Sequence, residues 1–303
     1  MSKNTMDDIL FILTNNKLVM KQIISIFIFL AIAAQCFSQI KVPTGTKSEI
    51  SKLYTTTTFV VLKNEFMSDY NDAIQEAVNK FWKITPVKFI KESEFNNLRN
   101  DSDKSFLMTN VVCFEDDKSN TKFDFLTLSL GGKYKTINDM PTLCAIPLCY
   151  TGDDEEKYIY KLGAMVKHCQ THIETCRSHP ELNKENILDY YIKNASNIES
   201  KKLCLLKDEV SPDLRNNSAL KTNYMYDAEF ATREQIENLI KSDDDYALIA
   251  HIISPLSDSK LTFCVKIIID TKNGMIYYYD TQKLKKNTDG YILPSDLKKI
   301  SKK

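Results

Sequence analysis

The sequence predicts an α/β (α+β) protein made of two related strand-helix-strand-helix-hairpin modules with mixed sheets, separated by a helical insert. Three observations lead there. Two sequence blocks recur in the same order; β-branched runs alternate with stretches of helical spacing; and each copy ends in a hairpin signal. FVVLKNEF at 59–66 answers LCLLKDEV at 203–210, sharing Leu-Lys-(Asn/Asp)-Glu, and FIKESEFNNLRNDSDKSFLM at 89–108 aligns without a gap to FATREQIENLIKSDDDYALI at 230–249.

In the first module, expected over 50–132, Thr57 to Leu62 is a β-branched run. Ser68 is placed to cap a helix in which Tyr70, Ile74, Ala77, Val78 and Phe81 recur at helical spacing. After Pro86 the run from Val87 to Ile90 makes a short strand, and a second helix starts at Glu92. Strands at 105–114 and 123–130 follow, with Gly131-Gly132 turning the chain. The insert, 133–200, holds the strand-like TLCAIPLC, a long helix from about Asp154 to Ser178 closed by Pro180, and a shorter helix near Glu185 to Asn197. In the second module, 201–283, Thr232 and Gln235 form a capping-box pair. Strands follow at 246–253 and 261–270, and Asn273-Gly274 gives a hairpin signal into Met275 to Tyr279. The final strand alternates Tyr277, Tyr278 and Tyr279 across its faces, so one face exposes a ring or is covered by a partner. The Lys-rich tail from Leu284 to Lys303 is expected to fray at the surface.

Ahead of the modules, residues 1–19 form an upstream extension before Met20. The run MKQIISIFIFLAIAAQCFSQ then has a basic start at Lys21 and a twelve-residue apolar run, Ile23 to Ala34, interrupted only by Ser25. A membrane span needs ~20 residues, so this length favours a cleaved signal peptide over 20–38, with a retained anchor as the alternative. The mature chain has no expected membrane span, and the protein is expected to be exported, periplasmic or secreted. Removing residues 1–38 leaves 37 basic and 38 acidic residues, from 40 and 40. That balance, without a basic block, excludes nucleic acid as an expected partner.

The signal peptide with FVVL, the KFWKITPVKFIKESEF segment and the IIIDTKNGMIYYYD hairpin together resemble a set of uncharacterised exported bacterial proteins. The strand-helix-strand-helix module also resembles the N-terminal α/β modules of cell-envelope proteins of the TolB and curli-secretion type. These resemblances imply an envelope setting but assign no residue a role.

Chemistry concentrates in KHCQTHIETCRSH, 167–179, which carries three of the four histidines and two of the eight cysteines. On a helix at about 100° per residue, Cys169 and Cys176 fall within the apolar stripe of Leu162, Met165, Val166 and Ile173. His168, His172 and His179 line one flank, the expected border between buried and exposed faces. Cys169 and Cys176 lie ~10.5 Å apart along the helix axis, too far to share one zinc ion. The spacing does allow ligand pairs one helical turn apart, His168 with His172, Cys169 with His172, His172 with Cys176 or Cys176 with His179, with Cys144, Cys149 or Cys204 as outside thiols; His172 with Cys169 or Cys176 is the favoured metal pair. The bland reading is that both cysteines are small core hydrophobes. Cys144 and Cys149 are the local disulfide candidates, because Pro147 between them is placed to fold the segment back.

DDEE at 153–156 and SDDD at 242–245 read as solvated turns, lacking the spacing of a calcium loop. There is no nucleophile elbow, phosphate-binding Gly loop, HExxH or dinucleotide fingerprint, and no cofactor is expected. The expected function is therefore a non-enzymatic exported protein that binds an envelope component or itself. The alternatives are a metal-binding or thiol-dependent protein using His172 with Cys169 or Cys176, and a hydrolase whose catalytic residues are dispersed.

Overall fold

In the computed structural model, which describes residues 41–65, 68–113, 121–195, 197–242, 247–255, 263–284 and 290–302, the chain enters through a capping box. Thr46 accepts the Glu49 N–H at 3.3 Å and Glu49 accepts the Thr46 N–H at 2.7 Å, which starts α1 (Lys47–Leu53). The expected extension and signal peptide lie outside the described residues.

The first module follows the predicted order. β1 (Thr57–Leu62) leads to α2 (Asp69–Phe81), where Ser68 accepts the Asn71 N–H as N-cap. Then come β2 (Val87–Lys91), α3 (Glu92–Leu98), β3 (Lys104–Cys113) and β4 (Lys122–Leu130). The next strand, β5 (Thr142–Tyr150), is the TLCAIPLC stretch assigned above to the insert. It pairs antiparallel with β4 and completes a sheet of order β2-β1-β3-β4-β5, in which β1 is parallel to both β2 and β3.

Two 3-10 turns lead into α4 (Leu162–Ser178), and α5 (Ile187–Asn194) follows. The long helix thus starts eight residues later than expected. The second module comprises β6 (Lys202–Leu205), α6 (Asn217–Asn223), β7 (Ala228–Phe230), α7 (Arg233–Ser242), β8 (Ala247–Ile253), β9 (Phe263–Asp270) and β10 (Ile276–Lys283). Its order, β7-β6-β8-β9-β10, repeats that of the first sheet, as do its strand directions. Thr232 and Gln235 form the expected capping box, at 2.8 and 3.2 Å.

Residues 39–303 form one compact unit, in which the sheets contribute opposite faces to a shared core. In the first module α2 packs on the Val60 face inside that core, while Phe95 of α3 covers Phe59, Val61 and Phe106 outside it. In the second, Leu220 of α6 covers Leu203 and Leu205 outside, and Ile236 and Ile240 of α7 lie inside with Cys204. By helix side, Val60 therefore corresponds to Leu203, and the FVVL/LCLL match is one residue out of phase in the strand. A one-residue slip exchanges the faces of a strand, so the distinction is physical.

The tail corrects its expectation. Residues 294–300 form α8 (Pro294–Ile300), with Leu297 and Ile300 fully buried. Lys266 of β9 meets Asp296 at 2.6 Å, both buried, and Tyr278 donates to the same carboxylate at 3.1 Å. Tyr277 and Tyr278 are buried by their own chain. Among the described residues, no helix is long and apolar enough to cross a membrane.

Candidate functional site

The sequence-predicted residues meet on α4, which runs through the shared core. Cys169 and Cys176 face inward as the helical wheel predicts. The histidine border does not hold: His168 and His172 are fully buried, and only His179 reaches solvent, its side chain 40% exposed. The cause is cover on that flank. The Asn273-Gly274 turn lies against the helix backbone at His168, and Tyr191 of α5 lies over His172.

Cys144 enters this group from β5. One donor atom each from Cys144, His168 and His172 lies within 4.8 Å of the other two. The His168 Nδ1–H donates to the Gly274 carbonyl at 2.9 Å, which leaves Nε2 buried with no partner among the described residues. Tyr191 Oη lies 2.7 Å from His172 Nδ1, and Cys176 Sγ lies 3.6 Å from His172 Nε2. Burial lowers the pKa of His168 to about 4 and that of His172 to about 3, so both rings are neutral at pH 7. Burial also holds the Cys144 thiol well above its usual range. Cys169, named from the sequence as a partner of His172, is instead beside Cys144.

The proposed Cys144–Cys149 disulfide is not formed. Both thiols are free, on one continuous strand. Five extended residues span roughly 16 Å, well beyond the Cα separation a disulfide tolerates. Pro147 does not fold the chain back, because a bulge opposite Asp124 and Phe125 absorbs it on this edge strand. Cys144 therefore faces the histidines, while Cys149 lines a separate cavity.

That cavity, of about 340 Å³, lies at the carboxyl ends of β6 and β8. The two crossovers of the second module diverge here, α6 to the outer face and α7 to the inner one, which opens a crevice between the strands. Glu209 follows β6, Arg233 opens α7 and Ser254 follows β8; Tyr160 and Lys157 come from the link after β5, and Tyr291 from the tail. Lys161, only 1% exposed, meets Glu209 Oε1 at 2.6 Å, whereas Glu209 Oε2 is buried without a partner among the described residues. Burial raises the Glu209 carboxyl against the pull of Lys161. Burial also pushes the Cys149 thiol up to about 12, with Asp124 and Asp153 adding to it, so this sulfur stays protonated.

Residue-type motifs missed the cavity, yet the internal repeat marks it. Leu-Lys-Asp-Glu at 206–209 is the switch-point loop of the second module, and its counterpart, Leu62 to Glu65, leaves β1 of the first. Of DDEE, Glu155 is drawn toward the first of these loops, whereas Asp154 and Glu156 stay exposed at the surface as expected. Glu155 meets Lys63 at 2.5 Å and accepts the Tyr70 N–H at 3.0 Å, while Glu156 lies 3.7 Å from Arg233. SDDD lies largely outside the described residues. Set against known proteins, the chain matches no family model, no curated protein and no solved structure, so function must be argued from this geometry alone.

Proposed function

We propose that the chain is an exported, non-enzymatic binding protein that takes a small polar ligand in the cavity at the carboxyl ends of β6 and β8, in an envelope setting. One observation carries the reading. Glu209 Oε2 is a buried acceptor without a partner among the described residues, beside a cavity that can hold a small molecule. A buried unsatisfied acceptor costs about 1–3 kcal/mol, which a ligand N–H or O–H would recover. Acidic and basic side chains both line the cavity, and Arg233 lies 5.8 Å from the centre of the Tyr160 ring. Such a lining suits an amine or a polyhydroxy compound more than a strong anion. Export rests on the signal-like sequence at 20–38, and the balanced charge fits a protein that does not bind nucleic acid.

Ligand-observed NMR with a panel of amines, amino acids and sugars tests the cavity. At least one member should bind more tightly than about 1 mM. Glu209→Gln should weaken it about tenfold, and Arg233→Ala, at a partly exposed position, should weaken it without unfolding the chain. A panel that fails to bind, or binds Glu209→Gln equally well, overturns the proposal.

A further inference from the structure

We propose that Cys144, His168 and His172 form a structural site for one zinc-class cation, enclosed in the shared core. The sequence favoured His172 with a cysteine of its own helix and held Cys144 among the outside thiols. The fold brings together Cys144 and the two histidines one helical turn apart, with donor atoms mutually within 4.8 Å. Bonds of 2.0–2.3 Å to a single ion set donor separations of roughly 3.5 Å, a modest contraction from that spacing.

The histidine environments match this role. Metal-bound imidazoles direct one nitrogen at the ion and donate the other N–H to a fixed acceptor. His168 has that arrangement: Nδ1–H on the Gly274 carbonyl and a bare, buried Nε2. Without an ion this nitrogen is desolvated and uncompensated in the middle of a core, which native structures generally avoid. At His172, whose ring also lies within hydrogen-bond reach of the Pro43 and Leu143 backbone, Tyr191 Oη can accept the Nδ1–H at 2.7 Å, the tautomer that turns Nε2 to the ion. Cys176 Sγ, 3.6 Å from that Nε2, is the nearest fourth ligand, and Cys169 stands beside Cys144. One thiol and two imidazoles select zinc or a similarly borderline ion over calcium or magnesium, which prefer oxygen. Binding replaces the Cys144 S–H bond with a metal–thiolate bond and releases that proton to solvent. All three ligands are at most 1% exposed, so no position opens to substrate, and the ion would tie β5 to α4 as a closed structural site.

The test uses the full chain refolded with Zn²⁺, and separately with Co²⁺, then desalted. Elemental analysis should find one zinc per chain. The cobalt form should show tetrahedral ligand-field bands and a thiolate-to-cobalt charge-transfer band. Cys144→Ser should abolish or strongly weaken the charge-transfer band, while Cys264→Ser, at a buried thiol elsewhere, should leave it intact. Tyr191→Phe keeps the packing and removes the acceptor of the His172 N–H, so it should weaken zinc binding about tenfold. Folded wild-type chain with less than about a tenth of an equivalent of metal overturns the proposal, as does a charge-transfer band unchanged in Cys144→Ser. Wild-type stoichiometry decides the matter even if a ligand variant fails to fold.

Discussion

Gly274 concentrates several constraints in one residue. Its φ of +71° lies in the left-handed region, and a Cβ placed there would meet the His168 backbone nitrogen at 2.2 Å. Its carbonyl also accepts the His168 Nδ1–H. Gly274→Ala therefore combines left-handed strain, about 1–2 kcal/mol, with a clash against helix backbone that cannot rotate away. The expected loss is on the order of 3 kcal/mol in urea unfolding, comparable to a buried packing defect. The Asn-Gly dipeptide made the turn readable from sequence, since few other pairs supply that backbone. What the dipeptide could not convey is that the turn docks on α4 and buries His168. The same limit applied to His172 and Cys144: helical spacing gave the direction of each α4 residue, but the elements that cover them come from distant parts of the chain.

Among the elements, α8 departs most from expectation, and its cause is a single buried pair. A Lys-rich segment with few apolar residues reads as surface, yet Ile292, Leu297 and Ile300 close the outer core of the second sheet. Asp296 lies between Lys266 at 2.6 Å and the Leu293 N–H at 2.9 Å. Asp296→Ala would strand a fully buried ammonium and should cost about 3–5 kcal/mol, with faster amide exchange in β9 and β10. The double change Lys266→Met with Asp296→Leu should regain most of that stability, because removing both charges leaves no uncompensated ion. Unfolding midpoints of the single and double variants check both values; a double variant no more stable than the single one would contradict the assignment. Order and type of the regular elements were legible because periodicity and caps are local. β5 was misplaced because its membership in the first sheet depends on pairing with β4. The Glu209 cavity was missed because its walls come from both modules and the tail.

At the scale of the whole molecule, two modules of one topology pack with opposite faces inward, and among the described residues few polar contacts join their sheets directly. His251 of β8 makes one, donating Nε2–H to the Pro147 carbonyl of β5 at 3.0 Å. Burial, with the Lys161 charge adding to it, lowers the His251 pKa to about 3 against an ordinary 6.5. Its Nδ1 is buried and unpartnered among the described residues, so the folded state has no favourable place for a second ring proton. Below pH 6.5 the unfolded chain takes up a proton that the folded chain refuses. The stability associated with the neutral ring is therefore complete above pH 6.5 and is lost as pH falls from there toward 3. Each such proton gives a slope of about 1.4 kcal/mol per pH unit inside that window. Glu209, whose carboxyl is raised, acts in the opposite direction by favouring the folded state as it protonates. The His251 contribution must therefore be read as a difference between variants. In His251→Gln the amide can still donate toward Pro147 and cannot titrate. Urea unfolding at pH 7, 6 and 5 should show the wild type losing stability toward acid more steeply than His251→Gln, by about one proton's slope below pH 6. Parallel lines for the two proteins would mean that His251 protonates without opening the β5–β8 junction.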